Sequence, residues 1–195
     1  MAINLPTPPE EGLEVLRAGI GGLMSRPETH TFAATAGASP QDISVAAPHR
    51  VYFVGADEVA AGRLLGAAQL AGWRYIVLAG ERPLLAAELA FVAEGQQLEF
   101  SHTNVGPFVE ATIKGVRVAE GLEEIRAGDF ELRLLEIPSL SLCALWLHAE
   151  QRDFLLPLTP APNGVTPYHL YTEDELLSIL GAAAATRLQI RDDRA

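Results

Sequence analysis

Apolar residues recur at helical spacing in the first part of this chain. Near the N-terminus they lie three or four positions apart, at Leu13, Leu16, Ile20 and Leu23. That spacing is typical of one face of an α-helix and predicts a helix over residues 11–24 that ends before Pro27. Three glycines, at positions 19, 21 and 22, lie inside it. Each lowers the stability of a helix by about 1 kcal/mol relative to alanine.

The segments that flank this helix lack a regular apolar pattern. Residues 1–11 contain three prolines and predict a frayed or extended arm. Residues 28–48 are rich in threonine, alanine, serine, glycine and proline, and they predict an irregular connection. The ordered core is therefore expected to begin near Arg50.

Short apolar runs follow, and most of them have the length and composition of β-strands. Strands are predicted at residues 51–54, 73–78, 84–93 and 97–102, with a helix over residues 56–71. The run 84–93 also suits a helix, because its alanine and leucine content is favourable in either state. Glu94, Gly95 and Gln96 predict a turn between the last two strands.

The second half repeats this order of elements. Gly106 and Pro107 predict a helix start, because proline lacks the N–H group that would have no partner there, and Gly128 predicts its end. Three strands are predicted after this helix, at residues 130–137, 140–148 and 154–158. A proline-rich loop is expected over residues 159–167. Residues 172–175 form a capping box, which predicts a final helix.

The two halves also resemble each other in sequence. Residues 87–103 (AELAFVAEGQQLEFSHT) align without a gap with residues 143–159 (CALWLHAEQRDFLLPLT), at an offset of 56. One interpretation is duplication of a unit made of a helix and three strands. The other is that any two amphipathic hairpins look alike, because side chains alternate in every strand. We favour duplication, since the order of the elements agrees as well as the hairpin pattern.

These elements predict an α+β protein with a mainly antiparallel sheet of about six strands and helices packed on it. The two internal helices are expected to cover one face, and the terminal helices to cover the edges or the other face. A single domain is expected over residues 1–195. Its parts are an N-terminal helix and irregular arm (1–48), a first repeat (49–104), a second repeat (105–159), and a loop with the C-terminal helix (160–195).

Charge and composition exclude several classes of partner. The chain carries 14 lysines and arginines against 25 aspartates and glutamates, a formal net charge of −11. Such a surface repels phosphate backbones, so neither nucleic acids nor anionic membranes are expected as partners. Neither a membrane span nor a secretory signal is predicted. The single cysteine, Cys143, cannot form an internal disulfide, and a cytoplasmic location is expected.

The chain lacks the common sequence motifs for catalysis and metal binding. It has no phosphate-binding loop, no C-x-x-C, no H-E-x-x-H and no G-x-S-x-G. No two of its five histidines lie three or four residues apart, so no pair on one helix face is placed to hold a metal ion. Neither a metal nor a cofactor is therefore predicted. Cys143 lies in an apolar run and is expected to be buried and inert.

The most distinctive polar cluster spans residues 101–104, with the sequence SHTN. It ends a predicted strand and leads into the next helix. Thr103 or Asn104 is well placed to cap that helix. Alternatively, His102 and Asn104 line a pocket, because clefts often form where strands end beside helices. His169, which lies between two tyrosines before the last helix, is the third candidate for a catalytic or binding residue.

Two glutamates, Glu88 and Glu136, lie inside apolar strands. Alternation can place each of them on a solvated face, so neither is predicted to be a buried acid. The two tryptophans, Trp73 and Trp146, are expected to be core aromatics.

Together, these features predict a binding or protein-interaction module without evident catalytic machinery. Its expected partners are a small molecule or a basic protein, and the unpaired edges of the sheet also predict a homodimer. The alternative is a small-molecule enzyme of hydrolase or isomerase type, with a cleft between sheet and helices near His102 and Asn104. A cavity of several hundred Å³ in which two of the three candidate residues converge would favour the enzyme.

Overall fold

The computed structural model describes residues 3–24, 43–92 and 97–192. Its strands are β1 (Ile3–Asn4), β2 (Ile43–Phe53), β3 (Gln69–Ala79), β4 (Arg82–Val92), β5 (Gln97–Val105), β6 (Phe130–Ile137), β7 (Leu142–His148) and β8 (Asp153–Pro157). Its helices are α1 (Glu10–Met24), α2 (Ala56–Ala60), α3 (Pro107–Gly121), α4 (Glu123–Arg126) and α5 (Glu173–Asp192). None of these described helices combines the length and the apolar character that crossing a membrane requires.

The strands form one mostly antiparallel sheet, which confirms the predicted α+β class. Their order is β5-β4-β3-β2-β6-β7-β8, and the short strand β1 pairs in parallel with β6. The described residues therefore contain eight strands, and the prediction of about six is wrong.

The strands missed by the sequence pattern lie where that pattern is least regular. β1 is two residues long and lies in the proline-rich arm. β2 begins at Ile43, inside a segment predicted to be irregular. It contains Pro48 and a left-handed residue, Ala47, with φ of 47°. Both features interrupt the alternation by which a strand is recognised. Residues 28–42 and the turn residues 94–96 lie outside the described part of the chain.

Residues 56–71 form less helix than predicted. The helix α2 ends at Ala60, a 3₁₀ turn follows at Leu65–Ala67, and β3 begins at Gln69. Gly62 has a φ of 76°, the left-handed conformation with which many helices end and which glycine adopts at little cost. The prediction of one helix over this whole segment is therefore wrong.

Elsewhere, the structure confirms the predicted elements and shifts some of their ends. Residues 84–92 of the run 84–93 lie in strand β4 and not in a helix, and β6 has the predicted bounds of 130–137. The helix that begins at Pro107 is divided into α3 and α4. The capping box is present, because the Glu175 carboxylate accepts the backbone N–H of Thr172 at 2.8 Å and its hydroxyl at 2.9 Å.

The chain divides into two compact units, each assembled from separate segments. The α1 unit comprises Leu5–Arg50 and Ala71–Glu110. The α5 unit comprises Met1–Asn4, Val51–Leu70 and Ala111–Ala195. The single-domain organisation stays a prediction.

One face of β3, β4 and β5 carries the apolar core of the α1 unit. The helix α1 packs on this face with its buried residues. The core comprises Trp73, Tyr75, Val77, Leu85, Ala87, Leu89 and Leu98 from the strands, and Leu16 and Ile20 from the helix. Gly19 lets the helix approach β5 closely, since a Cβ at this position would lie 2.1 Å from the ring of Phe100. This contact explains one of the three glycines that weaken the helical pattern.

In the α5 unit, helices cover both faces of β6, β7 and β8. On one face, Leu134 belongs to an apolar cluster with Ile125 of α4 and with residues of α3. On the other face, Leu135 and Trp146 cluster with Leu180 and its neighbours on α5. Leu134 and Leu135 are adjacent in sequence, so the pleat of β6 directs them to opposite faces. A strand buried on both faces gives the nearly continuous apolar run seen in the sequence.

The strand order ends in β5 on one side and β8 on the other. Beyond β8, Leu155 exchanges two backbone hydrogen bonds of 2.8 Å with Tyr171, which partly covers that edge. The homodimer predicted from an unpaired edge stays a prediction, and β5 is the longer of the two end strands.

Replacing Gly19 by alanine tests the close approach of α1 to β5. We expect Gly19→Ala to lower the free energy of unfolding by roughly 1–3 kcal/mol, because the added Cβ displaces the Phe100 ring from a packed core. Gly22→Ala is the matched control, since no described atom lies within 4 Å of a Cβ added there. The control should be neutral or slightly stabilising. Equal midpoints for the two variants in urea unfolding, followed by circular dichroism, would contradict the packing described here.

Candidate functional site

Two of the three candidate residues, His102 and Asn104, belong to a row of polar side chains in the α1 unit. This polar row consists of His49 on β2, Arg74 on β3, Glu88 on β4, and His102 and Asn104 on β5. Along β4, Leu85, Ala87 and Leu89 belong to the core beneath α1. Glu88 lies between Ala87 and Leu89, so alternation directs its side chain to the opposite face of the sheet.

The centre of the polar row is a buried ion pair. Arg74 and Glu88 are opposite each other in the β3–β4 register. The Arg74 Nε donates to Glu88 Oε1 at 2.7 Å, and Nη2 lies against the same oxygen. The two side chains are only 6% and 8% exposed. The inference that Glu88 is not a buried acid is therefore wrong, because the arginine across the strand pair supplies the opposite charge that burial requires. Glu136, by contrast, is half-buried.

A β-bulge shapes the β5 side of the row. Glu88 pairs with His102, while the next residue, Leu89, pairs with Phe100, so Ser101 has no partner on β4. An extra residue of this kind re-aims the side chains beside it. Here the Ser101 hydroxyl oxygen lies 3.0 Å from His102 Nδ1, although neighbours in a regular strand point to opposite faces.

The candidate residues of β5 converge on the buried carboxylate. Asn104 donates its side-chain N–H to Glu88 Oε1 at 3.2 Å, and His102 Nε2 lies 3.6 Å from the same oxygen. The Asn104 amide nitrogen and His102 Nε2 are 3.4 Å apart. His102 remains 52% exposed. The amide of Asn104 is thus directed at Glu88, and the histidine forms the outer end of the row.

The geometry is unfavourable for acid–base or nucleophilic catalysis. In a serine–histidine–carboxylate triad, the carboxylate accepts a hydrogen bond from one ring nitrogen and the serine contacts the other. Here the Glu88–His102 distance of 3.6 Å is too long for a hydrogen bond. The same carboxylate oxygen already accepts from Arg74 and Asn104. The row therefore resembles a charge-compensated structural layer more closely than a catalytic site.

The third candidate, His169, lies in the α5 unit. It is exposed, and its ring packs edge-on against Tyr171 with the centroids 4.7 Å apart. Tyr171 is itself buried and closes the edge beside β8. This placement supports a packing role for the tyrosine and leaves His169 as its exposed neighbour.

His49 lies at the inner end of the row and was not among the candidate residues predicted from the sequence. It is fully buried, and its Nδ1 lies 2.7 Å from the carbonyl oxygen of Ala47. That carbonyl can only accept, so Nδ1 carries the proton. Nε2 has no hydrogen-bond partner within the described residues. Burial, with a further contribution from the Arg74 charge, lowers the pKa of His49 to about 4, so the ring is neutral at physiological pH.

The α5 unit contains a second polar group, around Asp153. Its Oδ1 accepts hydrogen bonds from Trp146 Nε1 and His148 Nδ1, both at 2.7 Å. Arg133 stacks on the Trp146 ring at 4.8 Å and pairs with Glu131. His148 and Asp153 are register partners at the end of the β7–β8 hairpin. The sequence signal for this group was the position of His148 and Asp153 on either side of a short turn. Their hydrogen bond stabilises the turn end of the β7–β8 hairpin.

One opening lies on the α1 side of the α1 unit. It is a cavity of about 630 Å³, lined by Pro8, Leu13, Arg17, Ile20, Gly21, Ile43, Ser44, Val45, Pro48 and Tyr75. A second cavity, of about 460 Å³, lies in the α5 unit and is lined by residues 54–57, Pro138, Ser139, Arg187 and Leu188. Neither includes His102, Asn104 or His169, so these two cavities do not meet the condition that favours the enzyme.

Tyr75 is the buried polar residue of the larger cavity. Its hydroxyl is buried and has no hydrogen-bond partner among the described residues. Burial raises the pKa of Tyr75 to about 12, so the hydroxyl keeps its proton and remains a donor. No sequence pattern indicated this role of Tyr75, because β3 has the pattern of an apolar strand and the first part of β2 was not predicted.

Comparison with known proteins identifies no relative: no family model, no curated protein and no solved structure matches the chain. Within the described residues, no group of three or more histidine, cysteine, aspartate or glutamate side chains is placed to hold a metal ion. The functional interpretation therefore depends on the geometry of the two units.

The buried ion pair can be tested by a double-mutant cycle. Arg74→Leu and Glu88→Leu each leave one charge buried without its partner, and each should cost about 3–5 kcal/mol of the free energy of unfolding. The double variant should lose much less than the sum, because two apolar side chains replace the pair. As a control, Arg63→Gln breaks an exposed pair with Glu58 and should scarcely move the urea midpoint. Additive losses in the cycle would show that the pair is not coupled.

The neutral state of His49 predicts a pH dependence of stability. Its pKa falls from 6.5 in the unfolded chain to about 4 in the folded protein. On acidification, the unfolded chain therefore takes up a proton before the folded protein does, and stability is lost as the pH falls through this window. The loss amounts to about 3 kcal/mol. His49→Leu should abolish this part of the dependence, measured as the free energy of unfolding at about pH 7 and about pH 4. Parallel curves for the variant and the wild type would contradict the assignment.

Proposed function

We propose that this chain is a non-enzymatic binding module and that its ligand is a small, largely apolar molecule held in the cavity of the α1 unit. The observation that carries the proposal is the cavity itself. Its volume of about 630 Å³ lies within the range of small-molecule sites. Such sites usually combine an apolar lining with a few polar groups that orient the ligand.

The lining supports this assignment. Six of its side chains are apolar: Pro8, Leu13, Ile20, Ile43, Val45 and Pro48. Its polar members are Arg17, Ser44 and Tyr75. A buried hydroxyl without a partner, such as that of Tyr75, costs about 1–3 kcal/mol. A ligand that brings an acceptor to this hydroxyl would recover part of that cost.

The polar row supports the non-enzymatic part of the proposal. Its carboxylate oxygen Oε1 already accepts from Arg74 and Asn104 and lies too far from His102 to orient that ring as in a catalytic triad. Hydrolysis at the bulge is the second candidate function. The 3.0 Å contact between Ser101 and His102 is the observation that favours it.

We also propose that the two strand triplets arose by duplication. The β4–β5 and β7–β8 hairpins share their register at an offset of 56. For example, Phe91 faces Leu98 in the first hairpin, and Leu147 faces Phe154 in the second. The preceding strands need an offset of 61 instead, since Gly72 faces Ala90 and Arg133 faces Trp146. The β6–β7 connection is thus five residues shorter than the β3–β4 connection, and a deletion in the second copy or an insertion in the first would account for this difference.

Binding of the neutral dye N-phenyl-1-naphthylamine tests the proposed cavity. Its fluorescence rises in apolar surroundings, and we expect saturable binding of one dye per chain with a micromolar dissociation constant. Val45→Trp places a large side chain in the lining and should weaken binding about tenfold. Val105→Trp is the matched control, because Val105 is exposed on β5 of the same unit and does not line the cavity.

The control variant should bind the dye like the wild type. The proposal fails if the dye shows no saturable binding, or if the two tryptophan variants bind it equally well while both retain the circular dichroism spectrum of the wild type.

A further inference from the structure

We propose that the ligand of the α1-unit cavity is an amphipathic anion, a medium-chain carboxylate whose head group pairs with Arg17 while its chain occupies the apolar lining. This inference rests on the function proposed above and specifies its ligand class. The lining contains one charged residue, and that residue is a cation. On a chain with 14 basic and 25 acidic side chains, a basic residue is found beside a given cavity less often than an acidic one.

Arg17 differs from other arginines of the chain in its surroundings. Arg63, Arg74 and Arg133 each pair with a glutamate. Arg17 is exposed on α1 and has no ion-pair partner within the described residues. Its guanidinium is therefore available to an external carboxylate, with which it forms short, charge-assisted hydrogen bonds.

The other polar groups of the lining act in the same direction. Tyr75 keeps its proton and is a donor, and the Ser44 hydroxyl can also donate. No aspartate or glutamate belongs to the described lining. One cation and two hydroxyls that can donate, with no acidic group, favour a ligand that carries acceptor atoms, and the apolar remainder favours a hydrocarbon chain.

Displacement of the dye by decanoate and by 1-decanol tests the charge of the ligand. The two compounds share a hydrocarbon chain and differ in the head group. On the wild-type chain, decanoate should displace the dye at concentrations about ten times lower than 1-decanol, because only the anion pairs with the guanidinium. Added salt should reduce this preference, since Arg17 is exposed.

Two variants assign the preference to one residue. Arg17→Gln should bring decanoate to within about twofold of 1-decanol while leaving displacement by the alcohol unchanged. Arg82→Gln is the matched control, because it removes the same charge from an exposed arginine of the α1 unit outside the lining. The control should retain the full preference for decanoate.

The outcomes separate the two proposals. If the dye binds but decanoate displaces it no better than 1-decanol does, the proposal of an anionic ligand is wrong and the proposal of a binding cavity is retained. If Arg82→Gln loses the preference as Arg17→Gln does, the effect is general electrostatics and the assignment to Arg17 is overturned. Sedimentation with phosphatidylglycerol vesicles distinguishes a free acid from a membrane lipid. The protein should stay in the supernatant. If it instead sediments with the vesicles, and Arg17→Gln abolishes this, the proposal that the ligand is a free acid is wrong.

Discussion

The buried ion pair between Arg74 and Glu88 constrains how the strands of the α1 unit pair. It joins β3 to β4 from a buried position, and Asn104 extends it to β5. A charge buried without its partner is strongly destabilising, so neither residue tolerates a shift of the strand register. The bulge at Ser101 fits the same constraint, because it brings His102 opposite Glu88 after Leu89 has paired with Phe100. The polar row thus sets which residues of β4 face α1.

The two faces of this sheet consequently have different roles. One holds the polar row, in which the buried charges of Arg74 and Glu88 compensate each other and Asn104 also donates to the Glu88 carboxylate. The other packs against α1 and includes the apolar cavity with its donors. A buried hydrogen-bond donor without an acceptor destabilises the folded protein. In a binding site the same donor can be satisfied by an acceptor atom of the ligand. This contrast is why we assign binding to the α1 face and structure to the polar row.

Local sequence signals predicted much of the fold and little of the candidate site. β6 and the capping box were predicted correctly, because apolar runs and caps depend on neighbours in sequence. The start of β2 was missed, since Pro48 and left-handed Ala47 interrupt its pattern. Burial of Glu88 depends on Arg74, which only the strand register brings opposite it. The cavity is lined by residues of α1, β2 and β3, which are distant in sequence, so no local sequence pattern predicts it.

The division between a structural face and a binding face is most directly tested by two-dimensional ¹H–¹⁵N NMR of the intact chain during titration with decanoate. The account predicts that the amide signals that shift belong to α1, to the first residues of β2 and to the neighbourhood of Tyr75, while those of residues 101–104 stay in place. Shifts centred on residues 101–104, with the α1 signals unmoved, would contradict it and would instead place the site at the polar row.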